Sequence, residues 1–159
     1  VRCQLIDKLA KAAGSNGMIG GQTIDMEAVK RPLDSDDVIL LQRMKTGALF
    51  EFSCEAGPIM AAAALEHRDR LKNYARQFGL IFQITDDLLD AVGSAEKTGK
   101  QVGKDEAKGK ATLVSILGVE GAKEEAGKLA DRALKLLESY DEKAQNLREL
   151  PFFLLDRES

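Results

Sequence analysis

Residues 69–92 read DRLKNYARQFGLIFQITDDLLDAV. Leu71, Tyr74, Ala75, Phe78, Ile81, Phe82, Leu88 and Leu89 recur at three- and four-residue spacing. That spacing predicts one long helix with a broad apolar face. Gly79, Gln83, Asp87 and Asp90 run as a polar stripe through the same helix, with Asp86 beside them.

Upstream of this stretch, Asp34 or Ser35 is the expected cap of a helix whose first turn carries Asp36 and Asp37. Its apolar positions are Val38, Leu41, Met44, Ala48 and Phe52, and Gly57-Pro58 is expected to interrupt it before an Ala-rich turn at 61–64. Lys45-Thr46-Gly47 lies inside this helix, and Thr followed by Gly marks a kink. Earlier still, Leu5, Leu9 and Ala12 predict a helix over Cys3–Ala13, broken at residues 14–17. A short helical piece with Gly20, Gly21, Gln22 and Asp25 follows, and Arg31-Pro32-Leu33-Asp34 closes it. Downstream, residues 93–112 read as a loop rich in Gly and Lys. A buried helical turn at 113–117 is expected next, then an amphipathic helix over 121–140 with Ala126, Leu129, Ala133 and Leu137 on one face. A last short helix is expected from about Pro151. No strand pattern and no fixed-period repeat is visible. The reading is all-α, a helical bundle in a single domain over 1–159.

Composition sets the outer bounds. A chain of 159 residues can bury a core without disulfides. Its net charge of −3 gives no reason to expect nucleic acid as a partner. No stretch reaches the roughly 18 apolar residues of a membrane span, and no signal peptide is visible. Cys3 and Cys54 lie in apolar helical patterns and read as buried free thiols of a cytosolic protein. The one His, His67, falls at an exposed helix start and has no Cys pair at ligand spacing, which argues against structural zinc. The chain begins at Val1, inside a helix, as a fragment or processed chain would, whereas Phe152 to Ser159 reads as a natural end.

The chemistry concentrates at Asp86, Asp87 and Asp90. Like charges this close oppose a helix, and near its C-terminus they face the wrong end of the dipole. A hard divalent cation would remove both penalties, and magnesium suits a site shared with phosphate oxygens. A bare Asp-Asp-x-x-Asp is more often a solvated acidic face. Gln83, one turn earlier in an apolar context, points instead to a cavity wall with a metal at its mouth. Lys97, Lys100, Lys104, Lys108 and Lys110 follow, interleaved with Gly99, Gly103 and Gly109. Glycines let backbone approach an anion, and lysines act as point charges on phosphate. Neither Gly99 to Asp105 nor the run ending at Lys110 matches a P-loop. Lys45 by itself reads as a snorkelling surface residue.

Together these residues resemble the trans-prenyl diphosphate synthases, the farnesyl and geranylgeranyl diphosphate synthase family. Gly20-Gly21-Gln22 with Asp25, Lys45-Thr46-Gly47, Phe82-Gln83 with Asp86-Asp87-Leu88-Leu89-Asp90, and Gly99-Lys100 through Gly103-Lys104-Asp105 to Lys110 follow the family's order and spacing. The resemblance covers nearly the whole chain. It implies the C-terminal part of a prenyl-synthase fold around a deep cavity, and a magnesium-dependent transferase that condenses isopentenyl diphosphate with an allylic diphosphate.

By that resemblance Asp86 and Asp90, supported by Asp87, hold Mg2+ on the allylic diphosphate, and Lys45 and Lys100 bind the same group. Thr46 and Gln83 line the cavity where the allylic cation forms. Gln22 and Asp25 are wall residues near the metal, and Lys110 matches a basic position of the family. A cytoplasmic homodimer is implied. The family's first aspartate-rich motif and its isopentenyl diphosphate site belong to an N-terminal part absent here. The chain then carries half of the metal site and one cavity wall, and whether it acts alone stays open. A truncated, non-catalytic or regulatory subunit is the alternative. Leu113-Val114-Ser115 stands where many members have Pro, and product length is not legible.

Overall fold

In a computed structural model, residues 1–28, 33–98 and 112–157 are described. Among them there is no strand. The elements are α1 (Arg2–Ala13), α2 (Met18–Glu27), α3 (Ser35–Gln42), a π-helical turn (Arg43–Gly47), α4 (Ala48–Met60), α5 (Leu65–Thr98), α6 (Leu113–Leu136), a 3-10 turn (Glu142–Ala144) and α7 (Gln145–Leu155).

α5 is the axis of the bundle. Its two-sided pattern is possible because α4 packs along one flank and α6 along another, while α7 touches both α5 and α6. Ile81 and Ile84 are fully enclosed with Ala122, Ala126, Leu129, Ala130 and Leu154. A second cluster joins Tyr74 to Ala133 and Leu137. The expected α6 face of Ala126, Leu129, Ala133 and Leu137 is therefore the buried one. Small residues on that face let the helix axes approach closely. Phe50 meets the rings of Phe78 and Phe82 edge-on at centroid distances of 5.1 and 5.6 Å, fixing α4 against α5.

Local chemistry accounts for two of the helix starts. Asp34 caps α3 by accepting from the Asp37 N–H at 2.8 Å. Thr112 caps α6 in a reciprocal pair with Ser115, each side chain accepting from the other's backbone N–H. Ser115 thus supplies the reciprocal half of the cap.

Several expectations change. α4 runs through Gly57-Pro58 to Met60, because the single N–H that Pro58 lacks falls in the last turn and Pro58 and Ile59 are buried. α5 continues past residue 93 to Thr98. The turn at 113–117 is buried only in part: Leu113 and Val114 pack against the core, while Ile116 is 60% and Leu117 45% exposed. Gly118 separates it from the rest of α6 with φ 71°, a backbone geometry that glycine adopts without strain. α7 begins at Gln145 rather than at Pro151. The carbonyl left without a helical donor by Pro151 is that of Leu147, and it accepts from the Tyr74 hydroxyl at 2.6 Å. Finally, Cys3 is exposed and Cys54 only partly buried; both are free.

Candidate functional site

The π-helical turn packs between α2 and α5. Gly21 of α2 is buried against the π-helical turn, and a Cβ built on it would lie 2.7 Å from Lys45 Cα. Only a residue without a side chain permits that approach. One turn further along α2, Asp25 Oδ2 meets Lys45 Nζ at 2.7 Å, a short ion pair between half-buried groups. The approach of the two backbones and the pairing of the two charges belong to one contact. The π-helical turn that carries Lys45 also carries Thr46 and Gly47, so the expected kink is an inserted, wider turn.

On the other side of that turn lies α5. Gly79 is buried, and a Cβ on it would sit 3.8 Å from Gly47 Cα. One helical turn on, Gln83 Nε2 reaches Thr46 Oγ1 at 3.5 Å, the long end for a hydrogen bond. Gly47, Gly79 and Gln83 border a cleft of about 280 Å³ together with Ile39, Gln42 and Arg43. The stripe continues from Gln83 to half-buried Asp87, which has an interaction partner of its own, and to exposed Asp86 and Asp90. Because α5 extends to Thr98, these carboxylates lie before its last turn, and the dipole penalty expected at a helix end does not apply to them.

Asp25 and Lys45 are thus brought together, as are Thr46 and Gln83, and the three aspartates share one stretch of α5. Gln22 is exposed on α2. Lys100 and Lys110, with the rest of the Gly/Lys segment from 99 to 111, lie outside the described residues. Among the described residues no three His, Cys, Asp or Glu side chains gather as a metal cage. The donor chemistry nevertheless fits magnesium. Asp86 and Asp90 offer hard carboxylate oxygens to solvent one turn apart, the set that magnesium uses when water and phosphate complete its shell.

Two features escape sequence reasoning. Glu51, 14% exposed at its side chain, takes Arg76 on both oxygens at 3.0 and 3.4 Å, with Lys72 at 3.7 Å and Arg43 at 4.0 Å. That network ties α4 to α5 along the same cleft. Its only trace in the sequence is an acid set between Phe50 and Phe52. The second is Arg157, whose Nη2 lies 3.6 Å from Asp86 Oδ1.

The family model described as "Polyprenyl synthetase" matches residues 3–150. A farnesyl diphosphate synthase of Geobacillus stearothermophilus is 40% identical over 141 residues, covering 89% of this chain and 48% of that protein. A dimethylallyltranstransferase of Fischerella ambigua is 39% identical over 155 residues, covering 97% and 45%. Among solved structures, an FPP/GFPP synthase from Zymomonas mobilis superimposes with a TM-score of 0.82 at 43% identity, covering 96% of this chain and 50% of that one. A geranylgeranyl pyrophosphate synthetase from Pyrococcus horikoshii Ot3 gives 0.79 at 27% identity, covering 98% and 59%. The chain spans about half the length of the relatives it matches.

Proposed function

The chain belongs to the polyprenyl synthetase family, and on that premise we propose that it forms the allylic-diphosphate half of a prenyl diphosphate synthase active site. The reaction is the condensation of isopentenyl diphosphate with an allylic diphosphate. The observation that supports this most is the meeting of α2, the π-helical turn and α5, which puts Lys45 with Asp25 and Thr46 with Gln83 at the head of the acidic stripe. The relatives carry synthase and transferase names, which favours an enzyme over a non-catalytic subunit.

Lys45 offers a point charge to a diphosphate oxygen, and Lys100 is proposed for the same group. Asp25 holds the Lys45 ammonium in place before the anion arrives. Thr46 and Gln83 line the proposed cavity and their dipoles stabilise the developing allylic cation, and the apolar walls exclude water that would capture it. Asp86 and Asp90, supported by Asp87, are the residues that would hold Mg2+, which supplies charge stabilisation to the leaving diphosphate. Gln22 and Lys110 complete the proposed surroundings. A homodimer and a cytoplasmic setting belong to the same reading. Two free thiols are in keeping with a reducing compartment, and no helix among the described residues is long and apolar enough to cross a membrane.

Titration calorimetry with a non-ionising thio-analogue of an allylic diphosphate tests the reading. Binding should require Mg2+, and Asp86→Ala or Lys45→Met should each weaken it about tenfold, as loss of one charge-assisted contact does. Binding that ignores both Mg2+ and the two substitutions would refute it.

A further inference from the structure

Arg157 follows α7 and in the sequence is only a basic residue after an apolar helix. Three contacts give its guanidinium a defined position. Nη2 faces Asp86 Oδ1 at 3.6 Å, the guanidinium carbon lies 5.9 Å from the centre of the Phe82 ring, and Nε is buried with no hydrogen-bond partner among the described residues. Phe82 and Asp86 are one turn apart on α5, so the end of α7 is docked where the acidic stripe begins. A committed charge-assisted bond would measure about 2.7–2.9 Å. At 3.6 Å the guanidinium neutralises Asp86 without being locked to it. The Asp86 side chain is 55% exposed and open to an ion from solution.

We propose that Arg157 is a positioning residue that serves Asp86 as an internal counter-cation and yields it to the divalent cation of the proposed diphosphate site. The inference rests on that reading of the site. In the cation-free protein the guanidinium offsets repulsion among Asp86, Asp87 and Asp90. When a divalent cation approaches, the same positive charge opposes it. The Phe82 face then keeps the released guanidinium beside the site, where its planar fork suits phosphate oxygens. Removing the guanidinium therefore has opposite effects on the two states. It tightens the cation and loosens the cation-free fold, whereas an arginine with only a packing role would loosen both.

The experiment uses the full chain and Mn2+ as the probe, counted by electron paramagnetic resonance of the free ion without substrate, in wild type, Arg157→Gln, Arg157→Lys and Asp86→Asn. Arg157→Gln should bind Mn2+ about three- to fivefold more tightly, the size of a partly exposed ion pair. Its melting temperature should fall in chelator, and the deficit should close in saturating Mg2+. Arg157→Lys should stay near wild type. In the wild type itself, Mg2+ should speed hydrogen exchange of the Arg157 Nε–H, a readout that needs no variant. Unchanged or weaker Mn2+ binding in Arg157→Gln, a deficit that ignores Mg2+, or an Nε–H indifferent to Mg2+ would overturn the inference. Mn2+ binding that is lost in Asp86→Asn but equal in wild type and Arg157→Gln removes only the role of Arg157. No Mn2+ binding in any form would remove the metal reading and this inference together.

Discussion

Gly21→Val should destabilise the chain by about 2–3 kcal/mol and abolish the ordered placement of Lys45. Even the Cβ would fall 2.7 Å from Lys45 Cα and 2.9 Å from Lys45 Cβ. The obstacle is backbone within the π-helical turn, so no flexible side chain can swing aside. Either α2 moves away, breaking the 2.7 Å Asp25–Lys45 pair, or the turn rewinds and shifts Thr46 from Gln83. Urea unfolding should show the lost stability, and calorimetry with the allylic analogue should show affinity lost alongside it. Gly127→Ala in α6 is the control, because no atom of the described residues lies within 4 Å of its Cβ and alanine suits a helix better by about 0.5–1 kcal/mol. A Gly21→Val chain as stable as wild type would mean that α2 and the turn are not in contact.

Tyr74→Ala is expected to be the most damaging core change, at about 3–5 kcal/mol. Tyr74 is 1% exposed, packs near Ala133 and Leu137, and stacks on Phe78 at 6.2 Å. It also supplies the hydrogen bond that Pro151 cannot give to Leu147. Tyr74→Phe isolates that second role, leaving a carbonyl unpaired at about 1–2 kcal/mol.

The two chains should also differ in alkali. Burial first, and the neighbouring Cys54 second, push the Tyr74 phenol well above its ordinary value. A folded-state value above the unfolded one, about 10 for tyrosine, means a stabilising contribution present in full below that pH and lost as pH rises past it. Burial raises the Cys54 thiol as well, so a smaller loss begins from about pH 8.5. Denaturant melts from pH 7 to 11 should fall steeply above pH 10 for wild type and less so for Tyr74→Phe. Parallel profiles would show that the phenol is not held neutral by the fold.

Much of the architecture was legible because burial on one helix face leaves a periodic trace. The α5 face and the α6 face of Ala126, Leu129, Ala133 and Leu137 are legible from spacing alone, and residue type narrows the cap of α3 to Asp34 or Ser35, of which the structure shows Asp34. Proline was over-read twice. Pro58 and Pro151 both sit inside helices, because packing and, for Pro151, a hydroxyl from α5 outweigh one missing N–H. The turn at 113–117 is covered only over Leu113 and Val114; apolar composition does not say how far a neighbour reaches.

The sequence by itself determined the all-α class, the order of the motifs and the residue types of the proposed site, since these depend on local periodicity and on side-chain chemistry. Only the tertiary structure decided the pairings. That Lys45 faces Asp25 across Gly21, that Gln83 turns to Thr46, that Glu51 gathers Arg43, Lys72 and Arg76, and that Arg157 reaches Asp86 leave no periodic signal. Each joins side chains from different elements, and their meeting is set by how closely the helix backbones approach once the apolar faces are buried.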